Sequence, residues 1–154
     1  MEKEDMMFRA LMAYNDGMKR LGDVYRIAVK RLGMSECAFW ILYTLRTEEG
    51  PFTQTEICEF LREPKQTVNS ALKKLEAEGC LSLGAGEDMR SKSVRLTPEG
   101  ERLAERTCDR VAEAETSALG RLSDSERGTL VQLLRRFSEL LEEELLNGEN
   151  QREV

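Results

Sequence analysis

Apolar residues recur over the first 32 positions at Met7, Leu11, Tyr14, Met18, Leu21, Tyr25, Ala28 and Leu32, stepping alternately by four and by three. Such a heptad seam predicts one long helix that needs a facing helix. Asn15-Asp16-Gly17 falls in its middle, and Gly costs about 1 kcal/mol relative to Ala inside a helix, so a bend is expected there. Gly33 ends the pattern. Ser35 then stands as the N-cap of a second helix that turns Ala38, Ile41, Leu42 and Leu45 inward and leaves Trp40 off the stripe.

Glu49-Gly50-Pro51 breaks the chain, and Thr53 and Glu56 follow at capping-box spacing, with Phe52 and Ile57 placed as a hydrophobic staple. The helix they open is short, because Pro64 lacks an N–H and cannot continue it, yet suits the first turn of the next. That next helix, ending at Gly79, buries Val68, Ala71, Leu72 and Leu75 at helical spacing. Its other face reads Lys65, Gln66, Thr67, Asn69, Ser70, Lys73 and Lys74.

The period then changes to two. Cys80 to Leu83 and Ser91 to Thr97 read as strands joined by a polar turn from Gly84 to Arg90, and a hairpin this short must pack on the helices to persist. Thr97-Pro98-Glu99 opens another helix, an N-cap followed by proline at the first helical position. It carries Leu103, Ala104, Cys108, Val111, Ala114, Ala118, Leu119 and Leu122. Ser123 and Glu126 form a second capping box ahead of a broad stripe from Leu130 to Leu146. Gly148 is expected to end it, and residues 149–154 to fray.

Helix, turn, helix, hairpin is the order of a winged helix-turn-helix, whose natural ligand is duplex DNA. The predicted fold is mainly α with a small β-hairpin wing, residues 34–97 forming the reading head. Residues 1–33 and 98–148 form a flanking helical region whose apolar seams exceed what so small a head can cover, which calls for a second copy of the chain. On this reading the first turns of the Lys65 helix meet base edges, and Lys73 and Lys74 lie near phosphates. The same face equally reads as an ordinary solvated surface. At the hairpin tip, Arg90 and Lys92 are long cations suited to a minor groove, with Asp88 placed to hold the loop or the guanidinium.

Charge alters the picture in an instructive way. The formal net charge is −6, which is unfavourable for binding phosphates. Residues 62–95, however, carry 7 Lys or Arg against 5 Asp or Glu, whereas residues 1–61 carry 8 against 10 and residues 96–154 carry 8 against 14. The suspected reading head is the one positive segment. With 40% apolar and 34% charged residues and no apolar run of about 20, the chain reads as a single soluble, cytoplasmic domain with no membrane span. Cys37, Cys58, Cys80 and Cys108 are widely spaced and His is absent, which argues against a zinc site or disulfides. No phosphate-cradling glycine motif, catalytic constellation or cofactor motif is present, so an enzyme is not expected.

These residues resemble the MarR family of bacterial transcriptional regulators, over about Leu11 to Leu146. The carrying stretches are TQTEICEFL, KQTVNSALKKLEAEGCL, EDMRSKSVRLTPEGERL and SDSERGTLVQLLRRF. Asp88-x-Arg90 followed by Leu96-Thr97-x-x-Gly100 is the most specific signal. The resemblance implies a homodimer with interleaved terminal helices whose two heads read a pseudo-palindromic operator. It implies that Lys65, Gln66, Thr67, Asn69 and Ser70 face the major groove, and that Arg90 enters the minor groove supported by Asp88. One departure is Leu83, where many members carry a basic residue. The resemblance further implies a repressor released by a small phenolic or lipophilic effector, with Tyr14, Met18, Tyr25, Phe39 and Trp40 as candidates to line its pocket. Aromatic and Met residues at this spacing equally read as plain core. Two rival readings are a helical protein-interaction module with a winged-helix head and a thiol-based redox-sensing regulator.

Overall fold

A computed structural model describes residues 2–48, 50, 52–85 and 92–147 of the chain. Helix α1 spans Glu2–Arg31 without a break at Asn15-Asp16-Gly17. Gly33, at φ 74°, turns the chain in the left-handed region that glycine adopts at least cost. α2 spans Glu36–Thr47, and its N-cap Ser35 accepts a hydrogen bond from the Ala38 N–H. A two-residue strand, β1 (Phe52–Thr53), leads into α3 (Gln54–Leu61), where Thr53 and Glu56 make the full reciprocal capping box.

α3 ends earlier than Pro64 requires. Arg62 takes a left-handed conformation at φ 52°, and Pro64 stands at the N-cap of α4 (Lys65–Ala77) rather than inside its first turn. Glu78 and Gly79, the latter at φ 74°, close α4. The wing strands are β2 (Leu81–Ala85) and β3 (Lys92–Leu96), paired antiparallel with Leu81 opposite Leu96 and Leu83 opposite Val94. β2 thus runs two residues further than its apolar pattern indicates.

The expected two-stranded hairpin is a three-stranded sheet of order β1-β3-β2, with Phe52 opposite Val94. A two-residue strand is too short to leave an alternating pattern. It nevertheless ties the entry of α3 to the wing.

α5 (Pro98–Gly120) and α6 (Asp124–Glu142) follow, and a short π-helix covers Glu143–Asn147. Ser123 and Glu126 make the second capping box. The expected stop at Gly148 and the frayed tail lie outside the described residues. By internal contacts the chain divides into two compact units, residues 1–111 and 112–154.

The first unit holds the core. Phe39, Ile41 and Leu42 of α2, Ile57 of α3, Val68 and Leu72 of α4, and Ala104 and Cys108 of α5 are all fully buried. Within that unit Val29 of α1 is buried at 1% exposure, while Met7, Leu11, Met18 and Leu21 of the heptad seam stay exposed. In the second unit no residue of α6 is buried.

Candidate nucleic-acid interface

The rotation of α4 is fixed by Val68, Leu72 and Leu75, which are buried against the core at 0–2% exposure. Helical spacing then forces Lys65, Gln66, Thr67, Asn69, Ser70, Lys73 and Lys74 to the outside, and all seven are exposed. Ala71, on the edge of the apolar stripe, is half-buried.

Three features suit the first turns of this helix to an anionic ligand. The N-cap Pro64 offers no side-chain hydrogen bond, so the first backbone N–H groups are left for an outside acceptor. The first turn carries no acidic residue. Among the described residues, the side chains of Lys65, Gln66, Thr67 and Asn69 make no hydrogen bond or ion pair. Ser70 differs, because its hydroxyl donates to the Gln66 carbonyl oxygen at 2.8 Å. Lys74, furthest along, has its Nζ 3.9 Å from a Glu78 carboxylate oxygen.

In the wing, Asp88, Arg90 and the side chain of Lys92 lie outside the described residues; the Lys92 backbone pairs with Ala85 at the first rung of β3. Leu83, the departure from the usual basic residue, is half-buried and packs against the core. Apolar packing is what the position does here. Arg95 of β3 and Arg62 of the α3–α4 turn are exposed cations on the same head that no sequence pattern singled out.

Of the five residues proposed for an effector pocket, three come together. The Tyr25 and Trp40 rings meet edge-on at 5.3 Å, and Phe39 and Trp40 at 5.0 Å; Tyr43 joins the group 5.5 Å from Trp40. Phe39 is fully buried, so its part is core packing beneath the group. Tyr14 and Met18 stand further toward the start of α1 at 37% and 46% exposure.

All four cysteines are free thiols, and three are buried. Burial is the leading cause pushing the Cys37 and Cys80 thiols up, with nearby carboxylates Glu63 and Glu78 adding to it. Burial likewise pushes Cys108 up to about 11, although the Thr107 hydroxyl hydrogen bond opposes it. A thiol held in that direction supplies little of the thiolate that redox chemistry needs.

A family profile described as MarR family matches residues 32–91. The uncharacterized HTH-type transcriptional regulator YwoH of Bacillus subtilis is 34% identical over 105 residues, covering 68% of this chain and 76% of that protein. Among solved structures, NMB1585, a MarR family regulator from Neisseria meningitidis, shares 26% identity at a TM-score of 0.78, covering 90% of this chain and 98% of that one. Bordetella bronchiseptica BpsR, whose DNA binding is regulated by 6-hydroxynicotinic acid, shares the fold at a TM-score of 0.65 and 23% identity, covering 82% and 91%.

Proposed function

The chain belongs to the MarR family of DNA-binding transcriptional regulators, and from that membership we propose that it is a homodimeric repressor released from a pseudo-palindromic operator by a small-molecule effector. Members of the family are regulators and not enzymes. The observation that carries the DNA reading is the first half of α4, where exposed Lys65, Gln66, Thr67 and Asn69 have no other partner among the described residues. These side chains supply hydrogen bonds to base edges in a major groove, and Lys73 adds charge toward a phosphate. Asp88, Arg90 and Lys92 complete the interface at the minor groove by their match to the family's wing. Residues 34–97 are the reading head, residues 1–33 and 98–148 set the distance to the second head, and the protein works in the cytoplasm.

Two observations support the dimer. α1 exposes Met7, Leu11, Met18 and Leu21, and α6 exposes Leu130, Leu133, Leu134, Phe137, Leu140 and Leu141. A soluble monomer rarely leaves contiguous apolar surface beyond a few hundred Å² uncovered. For release, BpsR supplies the precedent, its DNA binding being regulated by 6-hydroxynicotinic acid. The aromatic group around Tyr25 and Trp40, with Tyr14 and Met18 nearby in sequence on α1, is where we place a phenolic or lipophilic effector.

Selection of bound sequences from random duplex DNA tests the reading. Enrichment of one pseudo-palindromic sequence, with its retardation in a mobility-shift titration reduced by Arg90→Ala, is expected. Failure to enrich any sequence would favour a head that binds protein instead.

A further inference from the structure

Among the described residues three take a positive φ, each just past the end of a helix: Gly33 after α1, Gly79 after α4 and Arg62 after α3. In that region the Cβ of an L residue crowds the following carbonyl oxygen, which is why helices commonly stop on glycine. Glycine serves α1 and α4. At the end of α3, φ 52° and ψ 33° are held by an arginine, whose N–H donates to the Glu59 carbonyl oxygen at 3.3 Å. A glycine makes the same turn with less crowding, so the backbone alone gives no reason for a side chain there.

The side chain gives the fold no reason either. Arg62 is exposed and makes no ion pair or side-chain hydrogen bond among the described residues, although Glu59 and Glu63 lie within three positions of it. Elsewhere on the surface Arg9, Arg26, Arg102 and Arg127 each pair with an acid three or four positions away. Glu63 lies within electrostatic reach of Cys37 of α2, whose thiol is pushed up by burial first and by the Glu63 charge second.

A reason lies in where the guanidinium is carried. Arg62 stands three positions before Lys65, the first residue of α4, and the intervening Pro64, at φ −56° and ψ 135°, makes the link short and stiff. Just beyond it come the exposed and uncommitted side chains of Lys65, Gln66, Thr67 and Asn69. Arg95, the other exposed cation named above, sits in a strand and lines a small cleft with Glu48 and Glu101, so neither the backbone nor the freedom from acids singles it out.

We propose that Arg62 is a DNA-backbone contact, its guanidinium pairing with a phosphate beside the groove that the first half of α4 enters. The inference rests on the DNA reading above and adds to it a residue that fixes how α4 sits in the groove. A planar fork of donors engages two phosphate oxygens at once, and such contacts set orientation without reading sequence. The crowded turn is kept for binding and not for stability.

Arg62→Gly and Arg62→Lys in the full chain test the contact. Each is titrated beside the wild type on the duplex recovered by selection and on a random-sequence duplex, across a range of salt concentrations, and its melting midpoint is measured by circular dichroism. Arg62→Gly is expected to melt at or above the wild-type midpoint. It should bind both duplexes at least about fivefold more weakly at 0.1 M salt, with a salt slope lower by about 0.9 per bound chain. Arg62→Lys, which keeps the charge, should keep the wild-type slope. A lower midpoint for Arg62→Gly, an unchanged affinity and slope, or a loss confined to the selected duplex overturns the contact. Wild-type protein that binds neither duplex overturns the DNA reading and this proposal with it, so the wild-type titration tells the two failures apart.

Discussion

At Gly100 a side chain has nowhere to go. A Cβ built there would stand 2.0 Å from the Cys80 carbonyl oxygen, a backbone atom that cannot move aside. The neighbouring contacts explain the closeness. The Thr97 hydroxyl donates to the Gly79 carbonyl oxygen at 2.6 Å and accepts from the Gly100 N–H at 3.1 Å, while the Thr97 N–H donates to the Cys80 carbonyl oxygen at 3.1 Å. The Leu96-Thr97-x-x-Gly100 signature is therefore a stitch that fastens the start of α5 onto the junction of α4 and β2. Gly100→Ala is expected to destabilise the fold by about 2–3 kcal/mol in urea denaturation, with Thr97→Ala losing about 1 kcal/mol as a cap.

Arg46 is a second residue whose role only the structure reveals. From α2 its guanidinium donates to Asp109 at 2.7 and 3.0 Å and to Glu101 at 2.7 Å, tying α2 to α5. The Arg46 hydrogen bond holds the Asp109 carboxyl below its ordinary value. A depressed carboxylate contributes stability above its unfolded pKa of about 3.9 and loses it as the pH falls through the lower folded value. Asp109→Asn is thus expected to be less stable than wild type by about 1 kcal/mol or less near neutral pH, since both partners are about one-third exposed. The gap should close as denaturation is measured at successively lower pH beneath 4.

Among elements, α4 divides its work around its circumference. Buried Val68, Leu72 and Leu75 set which residues face out, so the exposed face follows from the core and not from the polar residues themselves. Lys65→Ala is expected to weaken DNA binding on all sequences and lower the salt dependence by about one charge, whereas Asn69→Ala should cost about 1–3 kcal/mol mainly on the preferred sequence. Mobility-shift titrations at several salt concentrations separate the two.

The described α-helices were legible from their caps or their apolar period; Ser35, Thr53, Pro98 and Ser123 signal local events that depend on neighbours in sequence. The exposed face of α4 was legible for the same reason. β1 was not, since its two residues are defined by a partner about 40 positions away. Nor was the cleft lined by the end of α1, the start of α2, the end of α4 and the first part of α5: its walls come from positions 31 to 110, and spacing along a chain carries no trace of such a convergence. The depth of Phe39, a candidate for the effector pocket that lies at 0% exposure, was not legible either, because aromatic character says nothing of depth.

At the scale of the whole molecule, the proposed homodimer rests on the exposed apolar seams of α1 and α6. Sedimentation of the wild type is expected to give twice the 17.6 kDa chain mass. Leu134→Glu with Leu141→Glu should return it to the single-chain value without loss of helical signal, because both positions are exposed in the chain and contribute nothing to its own core.

The burial of three thiols has a practical corollary for measuring motion. Cys58, Cys80 and Cys108 sit at 0–7% exposure, while Cys37 is half-buried. A maleimide reagent should modify Cys37 first and the other three only as fast as the surrounding structure opens, so mass spectrometry of the modified chain becomes a clock for local unfolding. Cys80 times the release of the wing, and Cys108 the parting of α5 from the core. The two rates need not agree, and their difference would rank the order in which the head comes apart.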